Sequence, residues 1–551
     1  MTFKEDINDR FTQIETNFAK AKAAVSKIST SGGGGNGGGG VGIPTSPCEN
    51  LKIVRNGSSN ILYWDEPEDT TVEGFILCSW QKTIIVRKLG DYPETETDGD
   101  VIVTNTVRNK YSESGYTDTV EATNAYYYRA FPVSMNGAVC YDLTNRFDEG
   151  IEYLFSLEQS NANPYGIIEY HGKNANYRRA GMDYDTQTFD KGDWGKSFLL
   201  QDIFKPCMVK YSGAVDYFLN PYNLAKKIDG TTDSQIADKT YEGNATSRIG
   251  QIWIKIYFKN GKLYFGVANK KIDNDYHCYS HYDAENNLLP YIYHSIYSGS
   301  KIDNKIRSLS GTAPLGTLSA ETMRQYAKAN GTAWDLPDYS FRLTMLIVAW
   351  LLGGTTDTQK AFGSGRSSGG SSKSHNQLNS GHCNTKGGFW GGNNNEGSTF
   401  GFMEDLIGNL WDSILGVIVI NGKVNIKLTP GTIDGSTATD YNFDGSGYRY
   451  SGIDYGTGAI DTRYIRRMEM CELENTDGTK TKLILPTADT GGSASTYFAE
   501  AMWSNKGTNM LRMGGSSATG SACGLGAFTV DDAPSYALWH FGCSLTCKPA
   551  P

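Results

Sequence analysis

The stretch DYNFDGSGYRYS, residues 440–451, opens like a calcium-binding loop, with Asp440, Asn442 and Asp444 at alternate positions and Gly445 for the sharp turn. Its twelfth position, where a bidentate glutamate belongs, is Ser451, and no helical pattern flanks it, so an Asx-rich turn is expected. HCYSHYD, residues 277–283, places His277 and His281 four apart, a spacing that suits a metal on a helix. The tyrosines around them favour strand or loop, which would separate the two rings. GSGRSSGGSSKS, residues 363–374, has the glycine content of a phosphate cradle but not its GxxxxGK[ST] spacing. The histidines form no HExxH motif, and the ten cysteines contain no CxxC pair. The nearest two, Cys543 and Cys547, would lie ~13 Å apart on one strand, beyond the ~7 Å that a disulfide spans. The cysteines are therefore expected to be reduced, small and hydrophobic, in a protein made in a cytoplasm.

The chain that must position these groups has 551 residues, too many for one ordinary core, so two or three folded units are expected. Its net charge of −9 is dispersed, and the absence of a basic stripe argues against nucleic-acid binding. No apolar run is long enough to span a membrane, which argues against insertion. The longest, LTMLIVAWLL, Leu343 to Leu352, reads as a buried helix. The N-terminus carries no basic region followed by an apolar stretch, so no secretory signal is expected. Sixty-four glycines and 34 tyrosines point to turn-rich β structure with rigid, adhesive surfaces.

Residues 1–30 carry apolar side chains at Ile7, Phe11, Ile14, Phe18, Ala21, Val25 and Ile28, alternately four and three apart. That is a heptad seam, and a helix so short is marginal alone, so self-association is expected, with the bulky seam favouring a homotrimer. Residues 31–48 form a glycine-rich tether. Over 49–145, alternation around Trp64 and a strand bearing Tyr126, Tyr128 and Ala130 on one face predict a β-sandwich. From 146 to 551 the chain reads as one large unit with insertions. IWIKIYFKNGKLYFGVANKK predicts a hairpin turning at Asn260-Gly261, SAETMRQYAKANG a helix, and DYSFRLTMLIVAWLLGG a helix closed by Gly353. The fold class expected is thus multidomain and mainly β, with an α+β C-terminal domain.

The last forty residues pose a separate question. Ala527, Val530, Leu538, Phe541 and Leu545 predict sheet. Between them stand Ser516, Ser517, Ala518, Thr519, Ser521, Thr529, Tyr536 and His540, which make no catalytic set.

Two resemblances bear on this. The early buried Trp and late Tyr-rich strand of 49–145 resemble a fibronectin type III domain, and DEPEDTTVEGFILCSW with IIVRKLGDYP looks like the version found in phage tail proteins. AFGSGRSSGG and TPGTIDGSTATDYNFDGSGY are similar to phage tail segments as well. Further on, GNLWD (408–412), LRMGGSS (511–517) and PSYALWHFGCSL (534–545) make an ordered set: Gly-Asn-x-Trp-acid, x-Arg-x-Gly-Gly-Ser, then Phe-Gly-x-x-Leu. This set resembles the C-type lectin-like fold, in the branch shared by formylglycine-generating enzymes and the variable tip proteins of phages carrying diversity-generating retroelements. The resemblance spans 165–551. It implies a structural core containing Asn409, Trp411, Gly514, Gly515, Phe541 and Gly542. It also implies a receptor-binding surface of Ser516, Ser517, Ala518, Thr519, Ser521, Thr529, Tyr536, Leu538 and His540, whose residue types match those that adenine-directed diversification produces. The enzyme branch needs a cysteine pair after Gly-Gly-Ser, whereas here Thr519 stands near the first position and only Cys523 lies close by.

The expectation is therefore a phage tail adhesin without catalysis, cofactor or metal. Its N-terminus would attach to tail or baseplate proteins, its variable site would bind a host glycan or protein receptor, and its location would be the virion. A formylglycine-generating-type oxidase and a bacterial surface lectin are the alternatives.

Overall fold

The structure, a computed structural model, describes residues 44–549 except 57, 73–74, 91, 122–123, 125, 143–144, 148–149, 159–166, 274, 284–286, 394–395, 428–440 and 475–479. The heptad seam of 1–30, most of the glycine tether and Asp440 lie outside the described residues. The chain divides into two compact units, up to Gly150 and from Ile151 onward, and both are rich in strand.

In the first unit, strand Ser59–Asp65 alternates between buried and half-buried residues, the signature of a sheet with one covered face. It pairs with Glu49–Asn56 and Tyr116–Thr119. A second sheet orders Asp100–Asn105, Trp80–Leu89, Tyr126–Ser134 and Arg146–Phe147. Leu51, Ile53, Leu62 and Trp64 from the first sheet share one core with Ile85, Tyr128, Ala130 and Phe147 from the second. Trp64 is fully buried, and its indole N–H donates to Glu66 at 2.6 Å, as a buried Trp requires. Phe147 belongs to this core, which is why the unit runs past 145.

The second unit is built around the predicted apolar helix. Tyr339–Gly353 is buried on every side. The Asp338 side chain caps its N-terminus by accepting from Phe341 N at 2.9 Å. It ends one residue later than expected. Gly353 is helical, and Gly354 adopts the left-handed conformation (φ 58°), donating its N–H to Trp350 O at 2.9 Å. On one side Trp350 meets Phe265 of a four-stranded sheet, and on the other Phe498, with ring centroids 6.1 and 5.6 Å away. The four-stranded sheet contains the predicted hairpin, Trp253–Lys259 with Lys262–Ala268. Its turn residues Asn260 and Gly261 both have positive φ, as a two-residue hairpin turn demands. The helix predicted around residue 320 is Ala320–Lys328, capped by the Ser319 hydroxyl.

The unit also contains two larger sheets, one of seven strands and one of eight, beside smaller ones of two or three strands. The chain's last residues stitch them together. Phe541–Gly542 pairs in parallel with Trp411–Asp412 in the eight-stranded sheet, and Thr546–Cys547 inserts between Tyr291–Ser295 and Trp334–Asp335 in the seven-stranded one. Lys548 then forms a buried ion pair with Asp338 at 2.7 Å, fastening the C-terminal segment to the start of the central helix. Among the described residues, no helix is long and apolar enough to cross a membrane. All ten cysteines are buried, and none is joined in a disulfide.

Candidate functional site

The framework beneath the C-terminal segment begins at strand Thr508–Gly514, which pairs with Trp411–Ile420 on one side and Gly524–Val530 on the other. Gly514 and Gly515 have φ of 97° and 88°, turning the chain off the strand in a conformation that disfavours side chains. A Cβ on Gly515 would lie 2.2 Å from Cys523 Sγ, so the close approach itself also requires glycine. Asn409, fully buried at φ 63°, holds three segments together. Its amide accepts from Leu378 N at 2.9 Å and donates to Asp405 at 2.8 Å, while its carbonyl accepts from Ser517 N at 3.1 Å. Trp411 packs edge-on against Trp503 at 5.2 Å. The buried guanidinium of Arg512 lies 3.7 Å over the Phe541 ring and reaches the carbonyls of Asp532 and Ala533. A Cβ on Gly542 would collide with Leu410 at 2.6 Å. Asn409, Trp411, Gly514, Gly515, Phe541 and Gly542 are thus interior residues whose side chains, or lack of one, shape the turns above them.

The nine expected contact positions do not share one environment. Ala518, Ser521 and Tyr536 are exposed, and Thr519, Leu538 and His540 are half-buried. Ser516, Ser517 and Thr529 are buried, which corrects the expectation that they present their side chains to a receptor. Thr529 is covered within the sheet, where it stands opposite Arg512 and Trp503 on the two neighbouring strands, and for the Ser516–Ser517 turn the reason is a long-range one. Loop 366–377 folds over the 516–521 turn, and Ser517 Oγ donates to His375 O at 2.8 Å. Ser516 Oγ lies 3.2 Å from Thr519 Oγ1, and Thr529 Oγ1 donates to Asp531. Their hydroxyls are used inside the protein, as buried polar groups must be.

The same loop supplies what the sequence reading missed. Gly370 N donates to Ser517 O at 2.8 Å and Gly520 N to Ser367 O at 2.7 Å, so loop and turn are joined through main-chain atoms. At its far end the exposed His375 stacks on Trp539 with ring planes 5° apart and centroids 5.2 Å apart. Gln377 donates to Trp539 O at 3.0 Å. One continuous surface therefore comprises the exposed part of 369–376, the 518–521 turn and the 535–540 turn. Apart from Lys373 it is short, polar and aromatic. His540 is neutral at ordinary pH, because burial and the nearby Arg512 charge depress its pKa to about 4. The only earlier sign of this loop was its glycine-serine composition, which marks a loop but not where it lies.

Groups suited to other chemistry are occupied structurally. Cys523 is buried, its thiol donates to Gly514 O at 3.0 Å, and burial pushes its pKa up to about 12, so it is not a poised thiolate. Asn442 and Asp444 close an Asx turn, accepting from Gly445 N and Ser446 N at 2.8 Å each. His277 and His281 lie on irregular chain, and the buried His281 spends its Nε2 on Ile249 O. One group that the sequence did not signal brings together His382, Cys383 and Glu404. There His382 directs Nδ1 at Asn379 O (2.9 Å) and Nε2 at Asp405 (3.2 Å), two acceptors, so both nitrogens carry protons and neither offers a lone pair. Burial opposes that charge, but the Asp405 and Glu404 carboxylates outweigh it and hold the imidazolium pKa well above the usual range.

No protein-family model matches the chain, and no curated protein matches it.

Proposed function

We propose that this chain is a receptor-binding protein of a phage tail and that it acts by adhesion rather than catalysis. The observation that carries this reading is the way the surface of 369–376, 518–521 and 535–540 is built. Its turns are held mainly by main-chain hydrogen bonds, by Asn409 and by Arg512, with the His375–Trp539 stack and a 2.9 Å contact between Ser521 Oγ and the Tyr464 hydroxyl as additions from exposed side chains. Such a surface tolerates replacement of Ala518, Ser521, Tyr536 and His375, which is what a swappable recognition site requires. The half-buried Thr519, Leu538 and His540 shape its relief. Its composition suits the role too, since short polar residues and stacked aromatics make adaptable contacts at low entropic cost.

In this reading the C-terminal unit is a lectin-like receptor-binding domain, and residues 49–150 form a fibronectin type III-like spacer. The 1–30 seam assembles a homotrimer and attaches it to the tail or baseplate. Trimerisation matters energetically, because three weak contacts on one particle multiply through avidity. The receptor is a glycan or protein of the host surface.

The experiment is to combine Ala518→Arg, Ser521→Arg, Tyr536→Ala and His375→Ala in phage particles and measure adsorption to host cells beside the melting temperature of the isolated chain. Adsorption is expected to fall at least tenfold with melting unchanged, since exposed substitutions shift stability by within ~0.5 kcal/mol. Undiminished adsorption would place the receptor site elsewhere.

A further inference from the structure

On a different part of the second unit lies an open cleft of about 820 Å³, a size that suits a small ligand. Its floor is aromatic: Phe189, Phe204, Phe389 and Phe402 line it. Its lining also includes Tyr222, 77% exposed, and Ile228, 62% exposed, which add accessible apolar surface to the cleft.

The charges are more telling. Lys191, Lys205, Arg248 and Lys386 line the cleft and no Asp or Glu does, although the whole chain carries −9. Lys205 and Arg248 are direct cross-strand partners on Phe204–Lys210 and Gly243–Gly250. Like charges placed opposite one another destabilise a sheet, so this pair opposes the fold that holds it. Among the described residues, none of the four makes an ion pair with a carboxylate. Arg248 instead has two aromatic neighbours, its guanidinium carbon 4.8 Å from the Phe218 ring centroid and 4.1 Å from that of Tyr291. Lys386 sits 4.1 Å over Trp390. Both cations are thus held in place by rings while their charge stays available.

We infer that this cleft binds an anionic oligosaccharide, a sugar unit bearing a carboxylate or phosphate. The cross-strand Lys205–Arg248 pair would receive the anionic group, and Tyr222 with the neighbouring phenyl rings would stack on the sugar face. Cations and open aromatic faces together favour this class. A neutral sugar is normally held by carboxylates that accept from its hydroxyls, and the lining has none. A fatty acid would want an enclosed apolar channel rather than an open cleft with cations spread through it. The inference does not depend on the tail-protein reading, because the cleft shares no residue with the surface formed by 369–376, 518–521 and 535–540.

The test exposes the full chain to an array of immobilised acidic oligosaccharides (uronate-containing, sialylated and phosphorylated) beside matched neutral ones, with phosphatidylglycerol vesicles and inorganic phosphate as further probes. Binding is expected to acidic glycans only, to weaken with added salt, and to drop at least tenfold in Lys205→Ala/Arg248→Ala and in Tyr222→Ala. Lys386→Ala, at an exposed side chain, serves as a milder variant with its melting temperature measured alongside. Several results would overturn the inference: no acidic glycan bound, neutral glycans bound equally, or acidic binding unchanged in all three variants. So would vesicle binding lost in those same variants, or phosphate alone bound as tightly as the glycan, which would mark an ion site only.

Discussion

Glu500 offers a direct test of how the second unit is held together. It is fully buried, and burial pushes its carboxyl pKa up to about 8, with Asp357 adding to the rise. Its Oε1 accepts from Thr358 Oγ1, whose own oxygen accepts from Leu525 N at 2.9 Å. The proton of the neutral acid must therefore sit on Oε2. A Cβ on Gly524 or Gly526 would fall 2.1 or 2.3 Å from the Glu500 oxygens, so the carboxyl lies close against strand backbone. The folded state keeps this proton at a pH where the unfolded chain has released it. The stability it contributes is present in full below about pH 4.5 and is lost as pH rises through about 8, at ~1.4 kcal/mol per pH unit. Between pH 5.5 and 7.5 that amounts to about 3 kcal/mol. Glu500→Gln keeps the shape, places an amide donor where the proton sits, and does not titrate. Urea denaturation of the full chain, followed by tryptophan fluorescence at both pH values, reads the difference directly. The wild type should lose about 3 kcal/mol more than the variant over that interval. Parallel pH profiles would show that Glu500 is ionised in the folded protein and refute the reasoning.

Gly515→Ala is expected to destabilise by about 3 kcal/mol, combining a left-handed backbone with the collision at Cys523 Sγ, and Cys523→Ala should restore part of the loss. Gly520→Ala, at φ 64° with nothing within 4 Å of its Cβ, should lose only about 1 kcal/mol, and paired thermal melts distinguish the two cases. Trp411→Ala should empty the space against Trp503 and lose ~3–5 kcal/mol, read by chemical denaturation. If the proposed homotrimer forms through the heptad pattern of 1–30, Phe11→Asp with Phe18→Asp should turn it into monomers in analytical ultracentrifugation, because charges would replace the apolar residues of that pattern. A trimer that survives the double change would place the assembly contact elsewhere.

What the sequence determined was mostly local. The Asn260-Gly261 hairpin, the Ser319-capped helix and the apolar helix after Asp338 each follow from periodicity and end signals within about fifteen residues, because backbone preference and one-sided burial act at that range. The two-sheet core around Trp64 and Tyr128 was legible for the same reason, whereas the interior role of Asn409, Trp411 and the Gly514-Gly515 pair was an implication of the lectin-like resemblance and not of periodicity. Tertiary structure alone decided which polar residues face solvent. Ser516, Ser517 and Thr529 look no different in sequence from Ala518 or Ser521. Ser516 and Ser517 are buried where loop 366–377, some 150 residues earlier in the chain, folds over their turn and accepts from the Ser517 hydroxyl, and Thr529 is buried inside the sheet, opposite Arg512 on one side and Trp503 on the other. The protonated Glu500 and the cationic cleft are likewise products of distant segments meeting, since Lys205 and Arg248 are opposed only through strand register. Burial and electrostatic environment are properties of the assembled packing, and small polar side chains carry too little hydrophobic signal to reveal in advance which side of it they will occupy.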